Sequence, residues 1–126
     1  MKAILCEDND LLRKTLTFFL ESKGFSIDQF SNGREAINAI IENHYDIILT
    51  DINMPGSSGM EITEFVRTTL HRDTPIIIFT SSNVEQTELD SFDIGANEFM
   101  AKPVSPSVLL VRMNKLLKIK QMAVFY

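Results

Sequence analysis

Five side chains that could handle a metal ion or a phosphate lie at or close to the ends of short apolar segments. They are Glu7, Asp8, Asp51, Thr80 and Lys102. Carboxylates that are crowded together repel one another unless a cation neutralises them. Their oxygens suit a hard divalent cation, and Mg²⁺ typically takes one or two carboxylates, keeps several waters and leaves room for phosphate. If the five side chains converge, we expect a site for Mg²⁺, or for Mn²⁺ in its place, beside a phosphate.

The apolar segments that precede these side chains have the character of β-strands. Residues 3–5, 46–50 and 75–80 form nearly continuous apolar runs. Such runs are typical of strands that are buried on both faces, as in parallel sheets. Two weaker strands are predicted at residues 26–30 and 97–101, nearer the edges of the sheet.

Amphipathic stretches between the strands predict helices, several of them bounded by capping residues. The predicted helices cover residues 11–20, 32–41, 60–70 and 84–94, and a fifth runs from Pro106 past Leu117. The order is therefore strand then helix, five times over. Right-handed crossovers turn this order into a parallel sheet with helices on both faces. Ligands of such sheets bind at the carboxyl ends of the strands, which is where the five side chains lie.

Length, charge and composition restrict the classes of protein that fit. The 126 residues suit one domain, and the formal net charge of -5 argues against a dedicated nucleic-acid binder. No apolar run is long enough to span a membrane, and the N-terminus lacks the pattern of a secretory leader. Cys6 has no second cysteine to pair with. A cytoplasmic location is therefore expected.

The residues at the strand ends, taken in order, resemble the receiver domain of response regulators in two-component signalling. They are Glu7-Asp8, the loop Asp51-Ile52-Asn53-Met54-Pro55 with Gly59, Thr80-Ser81 and Lys102-Pro103. The loop matches the family pattern D-x-x-M-P-x-x-x-G at every fixed position. The resemblance covers Lys2 to about Lys120. It implies an α/β, flavodoxin-like (βα)5 three-layer sandwich with a five-stranded parallel sheet and strand order 2-1-3-4-5.

The resemblance also implies a role for each residue of the site. Asp51 resembles the phosphoacceptor, and Asp8 resembles the direct Mg²⁺ ligand, with Glu7 beside it, often acting through water. The backbone carbonyl of Asn53 supplies a further metal ligand. Lys102 would pair with a phosphoryl oxygen.

Further residues match positions that the family uses for switching. Thr80 would donate its hydroxyl to the phosphoryl group, and Phe99 stands where the family has a rotating aromatic side chain. Phenylalanine on a strand is also an ordinary core residue. Pro103 resembles the family's cis-proline. Asn53 and Ser82 occupy positions that line the path of the attacking water and so affect phosphate lifetime.

The function implied is a phosphorylation switch that catalyses its own phosphorylation and dephosphorylation. Its partners would be a sensor histidine kinase or a histidine phosphotransfer protein, and a downstream output protein or domain. Phosphorylation would reshape the face of the fourth helix, the fifth strand and the fifth helix, through which some family members form homodimers. The receiver domain is expected at residues 1–121, with 122–126 as an apolar tail or the start of a linker. Direct DNA binding and a membrane location are not expected.

Other functions and simpler structural roles compete with this one. A hydrolase of the haloacid-dehalogenase type carries a second aspartate two residues after its nucleophile, where this chain has Asn53, which cannot transfer a proton. A flavodoxin needs a loop after the first strand that accepts phosphate, and residues 7–10 would repel it. A scaffold that is never phosphorylated is a third alternative. The acidic residues after the first strand could also simply cap a helix, and Asp8 or Asp10 could do so.

Overall fold

Five strands and four helices form the described part of the chain. The computed structural model describes residues 1–81, 89, 90 and 92–124, with side chains up to residue 118. The strands are β1 (Lys2–Cys6), β2 (Ser26–Phe30), β3 (Ile47–Asp51), β4 (Ile76–Thr80) and β5 (Glu98–Ala101). The helices are α1 (Asp10–Ser22), α2 (Gly33–Glu42), α3 (Gly59–Glu64) and the C-terminal helix (Pro106–Val124). Most of the predicted helix at residues 84–94, together with Ser82, lies outside the described residues.

The strands form one parallel sheet in the order β2-β1-β3-β4-β5. This order confirms the predicted fold class. The two strands predicted to be weaker, β2 and β5, lie at the edges. The strands predicted from continuous apolar runs, β1, β3 and β4, lie in the centre, where both faces of the sheet are covered.

Alternate residues of the central strands pack on opposite sides of the sheet. In β1, Ala3 and Leu5 join a core cluster with buried residues of α1 and the C-terminal helix. Ile4 and Cys6 join a second cluster with residues of α2 and α3. Successive side chains of a strand point to opposite faces, so two cores form on one sheet. The result is the three-layer sandwich that was predicted.

The third helix differs in its geometry from the one predicted at residues 60–70. It begins at a capping box in which Glu61 N donates to Ser58 Oγ at 3.1 Å and Ser58 N donates to Glu61 Oε1 at 3.1 Å. The α-helical hydrogen bonding ends at Glu64, and a π-helical turn follows at Phe65–Thr69. Hydrophobic spacing does not distinguish these two kinds of turn here, because the π-helical turn covers only 5 residues.

Parallel pairing brings the carboxyl ends of β1, β3, β4 and β5 to one edge of the sheet. Cys6 pairs with Thr50, Asp51 with Phe79, and Thr80 with Ala101. The residues that follow these strands therefore face a common space. Within the part of the chain that the structure describes, no helix combines the length and apolar character that crossing a membrane requires.

Candidate functional site: a carboxylate cluster bridged by a lysine

Glu7 follows β1 and is fully buried. Its Oε1 accepts from Asn9 N at 3.1 Å and from Lys102 Nζ at 3.0 Å. Its Oε2 also lies 3.0 Å from Lys102 Nζ but accepts no well-directed hydrogen bond. Burial raises the pKa of the Glu7 carboxyl, and this effect outweighs the opposite influence of the hydrogen bonds from Lys102 and Asn9. Glu7 therefore presents one buried carboxylate oxygen that is poorly satisfied.

Asp51 is the last residue of β3 and is also buried. Its Oδ2 lies 2.7 Å from Lys102 Nζ, and its Oδ1 accepts from the backbone N of Asn53 at 3.3 Å. The following backbone continues the sheet contacts, since Ile52 N donates to Phe79 O at 2.8 Å. Asp51 is therefore held at the end of a central strand, with its carboxylate directed at Lys102.

Lys102 reaches the cluster from the end of β5. Its backbone N donates to Thr80 O at 2.7 Å, and the peptide bond to Pro103 is cis. Burial lowers the pKa of the Lys102 ammonium, but the hydrogen bonds to Asp51 and Glu7 outweigh burial, so its pKa is raised overall. The ammonium stays charged and bridges two carboxylates, one just after β1 and the other at the end of β3.

The loop after β1 is positioned by residues that the sequence did not single out. Asn9, rather than Asp8 or Asp10, caps α1, since its Oδ1 accepts from Leu12 N at 2.9 Å. Arg13 Nη1 donates to the Glu7 carbonyl at 2.9 Å, and its Nη2 lies 2.7 Å from Asp10 Oδ1. The only sequence signal for Arg13 is its spacing of three residues from Asp10, which suits an ion pair on a helix. Asp8 is thereby left free of any capping role.

The donor set of the cluster fits a divalent metal ion. One carboxylate oxygen from each of Glu7, Asp8 and Asp51 can be chosen so that all three lie within 4.8 Å of one another. Asp8 is exposed, whereas the other two are buried. Carboxylate oxygens are the hard ligands that Mg²⁺ requires, and one oxygen of this group is buried and poorly satisfied by hydrogen bonds. The ammonium of Lys102 places a positive charge next to these carboxylates.

Thr80, Asn53 and Phe99 are further predicted site residues that the structure describes. The side chain of Thr80 is buried at the end of β4, the neighbour of β3. The side chain of Asn53 is exposed, and Phe99 is half-buried within β5. Ser82 lies outside the described residues. The structure thus brings Glu7, Asp8, Asp51 and Lys102 together.

Comparison with known proteins identifies the family. The family model for the response regulator receiver domain matches residues 3–114. The transcriptional regulatory protein SrrA of Staphylococcus aureus is 34% identical over 115 residues, which are 91% of this chain and 47% of SrrA. The chain therefore spans about half the length of the curated relatives it matches.

Solved structures give the same result for the fold. The receiver domain of the Francisella response regulator 1452 superimposes with a TM-score of 0.89 at 25% identity, over 94% of this chain and 98% of that one. The BeF3-activated receiver domain of Klebsiella pneumoniae RstA superimposes with a TM-score of 0.86 at 26% identity, over 93% and 98% of the two chains.

Proposed function

The chain belongs to the family of response regulator receiver domains, and we propose that it accepts a phosphoryl group on Asp51 and passes on the signal by changing shape. The observation that carries this proposal is the position of the Asp51 carboxylate. It is buried at a strand end, 2.7 Å from the Lys102 ammonium and within a cluster of three acidic side chains. A carboxylate held between a cation and a metal site is arranged for transfer of a phosphoryl group to itself.

The reaction forms one bond and breaks one. An oxygen of Asp51 attacks the phosphorus of a phosphohistidine, the P–N bond breaks, and the imidazole leaves with the electron pair and takes up a proton. A carboxylate is a weak nucleophile, so the protein contributes chiefly by positioning and by neutralising charge. Lys102 would turn from Asp51 towards a phosphoryl oxygen, and the Thr80 hydroxyl would donate to another.

A metal ion completes the site in this proposal. Glu7, Asp8, Asp51 and the backbone carbonyl of Asn53 would hold Mg²⁺, and Mn²⁺ suits the same oxygens. When bound, the ion supplies positive charge that offsets the carboxylates and the phosphoryl oxygens. The support from this structure is the buried Oε2 of Glu7, which accepts no hydrogen bond from the described residues.

Incubation with acetyl phosphate and Mg²⁺ tests the phosphoacceptor. We expect one added phosphoryl group by intact-mass spectrometry, labile to base as acyl phosphates are, and none in Asp51→Asn. Asp73→Asn is a matched control, because Asp73 is an exposed aspartate. Uptake by Asp51→Asn at the wild-type rate would assign the phosphoryl group to another residue.

The switch is proposed to run from Thr80 to the face formed by β5 and the C-terminal helix. Thr80 would move towards the phosphoryl group, and Phe99, half-buried on β5, would turn inward. Val108 and Val111 on the C-terminal helix are 43% and 67% exposed, so this helix offers apolar area to an output partner or to a second copy in a homodimer. The beryllofluoride adduct should shift NMR signals of this face. Shifts confined to the metal site would argue against the switch.

The proposed partners follow from family membership. A sensor histidine kinase or a histidine phosphotransfer protein would donate the phosphoryl group, and an output protein or domain would read the switched face. We place the receiver domain at residues 1–121, with 122–126 as a tail or linker. Direct DNA binding by this domain would be disfavoured by the net charge of -5.

The incubation with acetyl phosphate also distinguishes the proposed function from two alternatives. A hydrolase of the haloacid-dehalogenase type would release phosphate with multiple turnovers, which the amide of Asn53 does not favour because it cannot act as a general acid or base. A scaffold would bind its partner without phosphorylation. Wild-type protein that takes up no phosphoryl group under the conditions above would support the scaffold.

A further inference from the structure

The N-terminus of α2 makes an unusually close contact with the loop that follows Asp51. Gly33 is the first residue of α2 and is buried, although the first turn of a helix is commonly exposed. Its backbone N–H donates to Pro55 O at 2.8 Å. The first N–H groups of a helix have no partner within the helix, so this hydrogen bond satisfies a group that would otherwise need water.

Gly33 leaves no space for a side chain. A Cβ at this position would collide with the carbonyl oxygen of Ser57 and would lie 2.7 Å from Ser57 C and 2.8 Å from Ser57 N. All three atoms belong to backbone, which cannot rotate away as a flexible side chain does. The φ of Gly33 is not in the left-handed region, so an alanine here would be unfavourable because of this close approach and not because of helix geometry.

The same loop is anchored at its base by a second contact. Gly59 N donates to Ile52 O at 2.9 Å, which closes the loop next to Asp51. Asn53 lies between this closing hydrogen bond and the contact of Pro55 with Gly33. Its backbone N also donates to Asp51 Oδ1 at 3.3 Å. The position of the Asn53 backbone therefore depends on both anchors.

We propose that Gly33 is a positioning residue of the phosphoacceptor site. Its close contact fixes the position of the loop at residues 54–58, and this loop in turn holds the backbone of Asn53 beside Asp51. The part of this inference that concerns metal binding rests on the proposed function. The part that concerns the position of the loop rests only on the contacts of Gly33 and Gly59 with the loop.

The test uses Gly33→Ala with Ala36→Gly as a matched control. Ala36 is buried one turn further along α2, so its replacement by glycine weakens the same helix without adding an atom near the loop. Both variants should melt at lower temperature. Only Gly33→Ala should shift the amide NMR signals of residues 53–58, weaken Mg²⁺ binding by about tenfold and slow phosphorylation by acetyl phosphate. Equal loop signals and equal Mg²⁺ affinity in the two variants would overturn the proposal.

Hydrogen exchange in the wild-type protein gives a second measurement that needs no variant to fold. The Gly33 amide should exchange at least about tenfold more slowly than in an unstructured chain, because it is bonded to Pro55 O. Unprotected exchange would show that this hydrogen bond does not hold the loop, and would overturn the proposal. If wild-type protein binds no Mg²⁺ and takes up no phosphoryl group, the proposed function fails, while the exchange rate and the loop signals still decide the role of Gly33.

Discussion

Replacing Lys102 by methionine should destabilise the metal-free protein. The change removes the ammonium that lies 2.7 Å from Asp51 and 3.0 Å from Glu7, while a side chain of similar length remains. Removing one partner of a buried ion pair costs about 3–5 kcal/mol. We take about 2 kcal/mol, below that range, because 21% of the Lys102 side chain is exposed and water weakens its ion pairs. For a chain of 126 residues this corresponds to a melting temperature lower by about 8 °C.

The loss of stability in Lys102→Met should depend on pH, and the pKa of Glu7 determines the direction of that dependence. Burial raises the pKa of Glu7 above its value in the unfolded chain, so ionised Glu7 costs stability as the pH rises through the raised value. Lys102 offsets part of that cost. The difference between wild type and Lys102→Met should therefore be largest above the raised pKa of Glu7. It should shrink on acidification, when Glu7 takes up a proton and no longer needs a cation.

Mg²⁺ distinguishes this explanation from a general packing defect. The variant should bind Mg²⁺ at least as tightly as wild type, because a competing positive charge has been removed from the carboxylates. Saturating Mg²⁺ should therefore restore much of the lost melting temperature, whereas phosphorylation should stay impaired. Calorimetry measures the Mg²⁺ affinity and thermal melts measure the stability. Lys115→Met is the control, because Lys115 is exposed. An unchanged melting temperature without metal, or a gap that widens on acidification, would refute the electrostatic reasoning.

Three further variants separate metal binding, helix capping and phosphate lifetime. Asp8→Asn should weaken Mg²⁺ binding by removing a charged ligand, measured by calorimetry because the chain has no tryptophan; unchanged affinity would remove Asp8 from the metal site. Ser58→Ala should cost about 1 kcal/mol in urea unfolding through loss of the capping box with Glu61, and a loss close to zero would contradict that role. Ser82→Tyr should slow loss of phosphate with little change in Mg²⁺ affinity; a lower melting temperature at an unchanged dephosphorylation rate would show that Ser82 serves as a helix cap.

The sheet could be predicted from the sequence because its signals are local. A run such as residues 75–80 is short, nearly continuously apolar and rich in isoleucine, which is typical of a strand that is covered on both sides. The edge positions of β2 and β5 followed from their weaker apolar character. The strand order came from the resemblance to the receiver family and not from the apolar runs, which are compatible with several orders.

The sequence also predicted which residues could form the candidate site, but it did not predict the contacts between them. Lys102 and Glu7 are separated by 95 positions, and their contact exists only because β5 and β1 end at the same edge of one sheet. The complete burial of Glu7, which raises its pKa, depends on everything packed around it. No local pattern reports such an environment.

Two features of the loops were decided by tertiary structure alone. Asn9 caps α1 although Asp8 and Asp10 are equally good capping residues by type, because the geometry of the turn after β1 selects one of the three. Gly33 looks like an ordinary residue at the start of a helix, and only its approach to Ser57 shows that a side chain cannot fit. Residue types and spacing determine which elements form and which chemistry is available. The packing of distant segments determines which groups touch, and therefore which charges are paired and which positions tolerate no added atom.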